Sequence, residues 1–263
     1  EEQIASHHFN EKGEEAEAFD NSQQNINART EVVKTGSMKL ALLPKKNRGE
    51  TVTVEIRLNI GNDVALKGKQ LEKTLLEMML TRGTKDLTYE EISDRFTALK
   101  IDGDITSFTT DRAHIADALR FVGGLMRDAS FPKDEFTKLA RQVATSNQAK
   151  LDNPTTLAID AMSRHFRTYP EGDARNRLTS QEIVDRIGSM TDEQVKAFYD
   201  SVFQTATADI AVVGDFDPKE VKAAIADSFT KKSETPFVRV DSEYRPVAPK
   251  RIVIDTPQKE NAF

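Results

Sequence analysis

The sequence contains no cysteine and no tryptophan, and only four histidines in 263 residues. The absence of cysteine excludes a disulfide framework and any zinc site built on thiolates. No apolar run approaches the roughly 20 residues that a membrane-spanning helix needs. No basic stripe of the kind that binds nucleic acid is present. We therefore expect a globular protein that interacts with neither membranes nor nucleic acids.

The apolar residues that are present suffice for a core. Hydrophobic residues make up 38% of the chain and charged residues 30%, with a formal net charge of −6. This balance is typical of a folded protein with a well-solvated surface, and the length allows one large domain or two small ones. The chain begins Glu1-Glu2 without a signal peptide, so we interpret it as a piece of a longer polypeptide.

The order of the predicted elements indicates an α+β fold. Strand patterns occur near both ends, with a hairpin at 31–43 and an alternating strand at 51–60, and helical patterns fill the middle. Three T-x-x-E/Q capping boxes, beginning at Thr88, Thr179 and Thr191, mark helix starts. We expect a mostly antiparallel sheet with helices packed on one face.

Composition also predicts the domain boundaries. Residues 1–29 are acidic and polar and resemble a linker or arm, with a short amphipathic helix as the alternative. Residues 30–231 form the α+β domain, and 232–250 are a proline-containing linker. Residues 251–263 are interpreted as the first strand of a following, truncated domain. Within the domain, 101–110 is predicted as a strand with a turn at Asp102-Gly103.

The segment Leu71 to Thr84, LEKTLLEMMLTRGT, predicts the helix around which the domain is organised. Glycine at Gly83 is the residue that a helix C-cap prefers. Glu77 falls close to the predicted buried face, where an unpaired carboxylate is costly. That face has helical spacing and consists of Leu71, Leu75, Met78 and Met79, widened by Leu76 and Leu80.

This segment resembles the metal-binding helix of the M16 (insulinase or pitrilysin-like) zinc peptidases. Their signature, H-x-x-E-H followed by M-L-F-x-G-T, matches MLTRGT at 79–84. The two zinc-ligand histidines fall on Thr74 and Met78, and the catalytic glutamate falls on Glu77. Further stretches resemble the family in order and spacing: LALLPKKNRGETV (40–52), HFRTYPEGDARNR (165–177), IAVVGDFDPKEV (210–221) and DTPQKENAF (255–263).

The resemblance implies a LuxS/MPP-like metallohydrolase domain from the non-catalytic half of a long bacterial M16 peptidase. Neither a threonine hydroxyl nor a thioether replaces imidazole on zinc, and no carboxylate stands near Thr145-Ser146, where the third ligand is expected. We therefore expect no catalytic residue, metal or cofactor in this chain, with zinc bound in the other half. The implied partners are that catalytic half and a peptide or protein substrate. An exported, periplasmic location is implied, with a cytoplasmic one open.

The sequence leaves two other hypotheses open. The chain is alternatively a scaffold or binding subunit that pairs with a separate active M16 subunit. A third hypothesis is a hydrolase with an unrecognised site, for which His114 and His165 are the remaining candidates. Neither histidine has a second one at i+3 or i+4, so a structural histidine with a satisfied hydrogen bond is the preferred interpretation of each.

Overall fold

The computed structural model describes residues 16–35 and 37–255, and within them it contains six strands and ten helices. The strands are β1 (Glu31–Thr35), β2 (Met38–Pro44), β3 (Thr51–Arg57), β4 (Asp102–Gly103), β5 (Ser107–Asp111) and β6 (Asp209–Gly214). The helices are α1 (Gln23–Arg29), α2 (Asp63–Leu66), α3 (Gln70–Met79), α4 (Tyr89–Ala98), α5 (Ile115–Asp128), α6 (Lys133–Lys150), α7 (Pro154–His165), α8 (Ser180–Ile187), α9 (Asp192–Val202) and α10 (Pro218–Ser228).

The described chain divides into two compact units, and the first contains the whole sheet. It comprises residues 16–57, 95–122 and 208–228. The strand order is β1-β2-β6-β3-β5-β4, and every neighbouring pair is antiparallel except β2 with β6. The predicted α+β class with a mostly antiparallel sheet is confirmed.

One face of this sheet is buried, as the alternation in the sequence predicts. Along β3, Val52, Val54 and Ile56 are buried while the residues between them are exposed. Leu58, which we expected on the same face, is only half-buried because the strand ends at Arg57. Buried residues of α10 and of the first part of α5 complete the apolar core of this unit; they are Val221, Ala224, Ile225, Ile115, Leu119 and Val122.

The second unit is helical and comprises residues 58–94, 123–207 and 229–255. Within it, α3 packs against α8 and α9, and α6 packs against α8. Tyr199 of α9 lies between Phe131 and Phe203, with ring centroids 5.0 Å apart in both pairs. Its hydroxyl lies 2.9 Å from the carbonyl oxygen of Met126 and 2.5 Å from that of Arg127, and burial raises its pKa.

The polar segment 231–250 contains no helix or strand, yet it is held against the second unit. The Val238 amide donates to Gly61 O at 3.0 Å. The guanidinium groups of Arg175 and Arg245 lie 3.7 and 4.3 Å from the ring centroid of Tyr169. The Tyr169 hydroxyl accepts from the Glu243 amide at 2.7 Å. Guanidinium groups stacked on an aromatic ring thus help to hold this segment, which has the composition of a linker, against the second unit.

Two predicted strands differ in the structure. Residues 101–110 are not one strand, because the Asp104 carboxylate accepts from the amides of Thr106 and Ser107 at 2.6 and 2.9 Å. This side-chain-to-backbone turn separates β4 from β5, so Asp102-Gly103 is a strand and not the turn. Of the strand predicted at 251–263, residues 251–255 form no strand and pair with no other strand in the described chain.

Some predictions concern residues outside the described ones. Residues 1–15 of the predicted arm and residues 256–263 of the predicted strand lie there. Of the rest of the arm, 23–29 form α1, and Arg29 pairs with Glu17 at 2.6 Å. None of the helices in 16–35 and 37–255 combines the length and apolarity needed to cross a membrane.

Candidate functional site

The helix α3 presents one buried and one exposed face. Its buried face is Leu71, Leu75, Leu76 and Met79, continued by Leu80. Glu72 is also buried, and its carboxylate accepts from the ammonium group of Lys69 at 2.9 Å. The face predicted from the sequence is therefore largely correct, but its centre is rotated away from Met78.

The three positions of the metal motif lie together on the exposed side of α3. Thr74, Glu77 and Met78 are all exposed, and Met78 retains 37% of its accessible surface. The prediction that Met78 is buried is wrong, as is the prediction that Glu77 lies close to the buried face. Both errors arise because the buried face is centred nearer to Leu76 and Leu80 than predicted. Helical spacing alone does not determine the centre of that face.

Each polar group at these positions already has a local partner. The Thr74 hydroxyl donates to the carbonyl oxygen of Gln70 at 3.0 Å. The Glu77 carboxylate accepts from the ammonium group of Lys73, four residues earlier on the same helix. Such an exposed i,i+4 pair contributes about 0.3–0.5 kcal/mol. Glu77 is thus an exposed residue in a surface ion pair, so the cost expected for a buried, unpaired carboxylate does not arise.

These residues do not fit a zinc ion. A catalytic zinc site needs three protein ligands drawn from imidazole nitrogen, thiolate sulfur and carboxylate oxygen, and a threonine hydroxyl and a thioether are none of these. Thr145 and Ser146, where the third ligand is expected, are exposed residues of α6. No group of three His, Cys, Asp or Glu side chains placed to hold a metal occurs in residues 16–35 and 37–255.

Gly83 does not cap α3. The helix ends at Met79 with Leu80 as its C-cap, and Gly83 has no positive φ. A Cβ atom at this position would lie 2.7 Å from Cγ of Pro132, at the start of α6. The Gly83 carbonyl oxygen accepts from the Ser130 amide at 3.1 Å. The glycine therefore allows the segment after α3 to approach the start of α6 closely.

Both candidate histidines have structural partners. Nδ1 of His114 lies 2.5 Å from a carboxylate oxygen of Asp111, which also accepts from the ammonium group of Lys100 at 2.7 Å. Nε2 of His165 lies 3.0 Å from the carbonyl oxygen of Ala248. Each ring is thus used within its own unit to hold neighbouring chain segments, as a structural histidine would be.

A polar cavity next to the start of α3 was not predicted from the sequence. It has a volume of about 300 Å³ and is lined by Gln70, Arg167, Glu171, Arg177, Glu182 and Arg186, among others. We refer to it as the arginine pocket. Its residues come from α3, from the loop after α7 and from α8, so no local pattern identified it. The stretch HFRTYPEGDARNR carried the only signal, through its arginines.

An ion pair in this pocket joins Arg167 to Glu182. Two guanidinium nitrogens donate to the two carboxylate oxygens of Glu182, each at 2.7 Å. Thr179 adds its amide at 2.8 Å, which completes the capping box of α8. The hydrogen bonds from Arg167, followed by that from the Thr179 amide, lower the pKa of Glu182 to about 2 despite partial burial.

A comparison with known protein families identifies one family model that matches part of the chain. Residues 189–263, less than half of the chain, match a family model described as the Peptidase M16 inactive domain. The resemblance to the M16 peptidases is confirmed. No curated protein matches the sequence.

Several solved structures share the fold over most of the chain. A protease from Helicobacter pylori superposes with a TM-score of 0.65 at 18% identity, covering 82% of this chain and 53% of that one. The peptidase M16 inactive domain from Pseudomonas fluorescens gives 0.62 at 17%, covering 80% and 53%. The periplasmic protease PqqL from Escherichia coli gives 0.59 at 15%, covering 84% and 25%. The chain thus spans about half the length of the first two and a quarter of PqqL.

Proposed function

We propose that this chain is a non-catalytic domain of an M16-type zinc peptidase that contributes wall and peptide contacts to the site of proteolysis. The observation that carries the proposal is the set of residues at the metal-motif positions. Thr74 and Met78 replace the two histidines, and both are exposed side by side with Glu77 on α3. A helix that keeps this face open but supplies no ligands can line a substrate space without binding metal.

The surroundings of Glu77 support the same conclusion. A general base must be within hydrogen-bond reach of the water that it activates and must be available to accept its proton. Glu77 is instead exposed and engaged by Lys73. Proton transfer alone contributes about 10²–10⁴-fold, which is too little for a peptide bond when no metal polarises the carbonyl. We therefore place the zinc and the catalytic chemistry in a separate half of the peptidase.

The similar structures support the rest of the assignment. Two of them are described as proteases, and one as an inactive M16 domain. We accordingly propose a catalytic M16 half as partner and a peptide or protein as substrate. Because PqqL is described as periplasmic, we propose an exported location for this protein as well.

Hydrolysis of a quenched fluorescent peptide library by the purified chain, with zinc present, tests the proposal. The expected result is no turnover above the buffer rate, for both the wild type and Glu77→Gln. Turnover that Glu77→Gln abolishes would make Glu77 catalytic and overturn the assignment. An H-x-x-E-H motif upstream in the same reading frame would favour a fused catalytic half, and its absence would favour a separate subunit.

A further inference from the structure

We propose that the arginine pocket binds a carboxylate carried by the peptide substrate. This inference rests on the proposed function, because it assigns a specific substrate contact to the non-catalytic domain. The pocket is at the small end of the range for ligand sites, about 300–1,000 Å³. That volume suits one side chain or one chain terminus and not a whole peptide.

The charges in the pocket favour an anion. Three guanidinium groups line it against two carboxylates, and Glu182 is already bound through both oxygens to Arg167. The side chains of Arg177 and Arg186 form no hydrogen bond or ion pair with any residue in the described part of the chain. Glu171 is exposed, as is Arg177, and it is the remaining acidic group that lines the pocket. Two arginines are therefore free to bind a carboxylate in the two-pronged geometry that guanidinium groups favour.

Two buried atoms in the pocket wall lack a hydrogen-bond partner within the described chain. They are Nε of Arg167, a donor, and Oε1 of Gln70, an acceptor. Buried polar atoms are rarely left unpaired, and each of these has less than 1 Å² of accessible surface, so a ligand in the pocket would reach them after a small movement of the lining side chains. A carboxylate would satisfy the donor, and an N–H group would satisfy the acceptor. A peptide carries both groups, whereas a bare inorganic anion offers no N–H, which favours a peptide.

The position of the pocket connects it to the proposed substrate face. Gln70 is the first residue of α3, and it precedes Thr74 and Met78 by one and two helical turns. Residues at i, i+4 and i+8 share one side of a helix. The Gln70 amide group is fixed by donation to the carbonyl oxygen of Asp173 at 2.7 Å. A peptide lying along the exposed side of α3 would thus place one residue at the pocket.

Binding of three dye-labelled octapeptides to the chain, measured by fluorescence anisotropy at low salt, tests the proposal. The first has one glutamate and an amidated C-terminus, the second has glutamine and a free C-terminus, and the third has glutamine and an amide. Tighter binding of the first identifies an acidic side chain as the source of the carboxylate, and tighter binding of the second identifies the terminus. We expect one of them to bind at least about tenfold tighter than the third, the factor for one charged hydrogen bond.

Variants separate the pocket from general charge effects. Arg177→Gln combined with Arg186→Gln should remove the preference for the carboxylate peptide. Arg141→Gln is the matched control, because Arg141 is exposed on α6 and does not line the pocket. Equal binding of all three peptides, no binding of any, or equal weakening by the control would overturn the pocket assignment. Equal binding of all three peptides, or equal weakening by the control, leaves the proposed function in place, because that function is tested separately by hydrolysis and by zinc content.

Discussion

Replacing Glu182 with glutamine tests how much the ion pair in the arginine pocket stabilises the protein. A pKa lowered from 4.5 to about 2 corresponds to roughly 3 kcal/mol of preference for the charged form. Solvent reaches a quarter of each partner's side chain, so screening reduces the stabilisation to about 1–2 kcal/mol. Glutamine keeps the size of the side chain and one acceptor for the Thr179 amide, so most of the loss should be electrostatic.

The assay is urea unfolding at pH 7, with Glu77→Gln as the matched control. Glu77 pairs with Lys73 on an exposed helix face, where side chains retain about half of their surface. Its loss should cost at most about 0.5 kcal/mol. A double-mutant cycle of Glu182→Gln with Arg167→Gln should give a coupling of about 1 kcal/mol. Equal losses for Glu182→Gln and Glu77→Gln, or no coupling in the cycle, would refute the reasoning.

Three further predictions concern stability. Because the pKa of Glu182 is depressed, its ion pair should stabilise the protein fully above pH 4.5, and this stabilisation should vanish toward pH 2. The difference in free energy of unfolding between wild type and Glu182→Gln should therefore shrink in urea titrations at pH 3. Tyr199→Phe should lower the free energy of unfolding by about 1–2 kcal/mol, since a buried carbonyl loses its donor; an unchanged urea midpoint would contradict this. Gly83→Ala should cost about 1–3 kcal/mol because its added Cβ would clash with Pro132. Gly124→Ala should be neutral or stabilising, because its added Cβ meets no atom within 4 Å apart from its chain neighbours and its own helix backbone; thermal unfolding of both variants compares them.

Elements with local signals were predicted well from the sequence. The capping boxes that begin at Thr88, Thr179 and Thr191 open α4, α8 and α9, because a hydroxyl and an acidic or amide side chain three residues apart satisfy the free amides of a helix start. The alternation of apolar and polar residues likewise predicted the buried face of β3, because the pattern and the strand occupy the same few residues. The helix α3 was predicted in place, with an error of rotation at Met78.

Features built from distant segments could not be predicted in this way. The arginine pocket brings Gln70 together with residues about a hundred positions later in the chain. No local sequence pattern indicates that these segments lie close together. The role of Gly83 depends on Pro132, which belongs to another segment. The linker-like segment 231–250 is fastened by contacts of Arg245 with Tyr169, which composition does not encode. In each case tertiary contacts determine what the local pattern leaves open.

The measurement that tests the central claim most directly is the zinc content of the purified chain, by elemental analysis after dialysis against zinc and then against buffer. The account predicts no stoichiometric zinc, because Thr74 and Met78 supply no ligand. The variant Thr74→His with Met78→His, which places two imidazoles one turn apart on an exposed face, should bind zinc more tightly than the wild type in calorimetric titration. One zinc per wild-type chain would contradict the account and return His114, His165 and Glu77 to consideration as ligands.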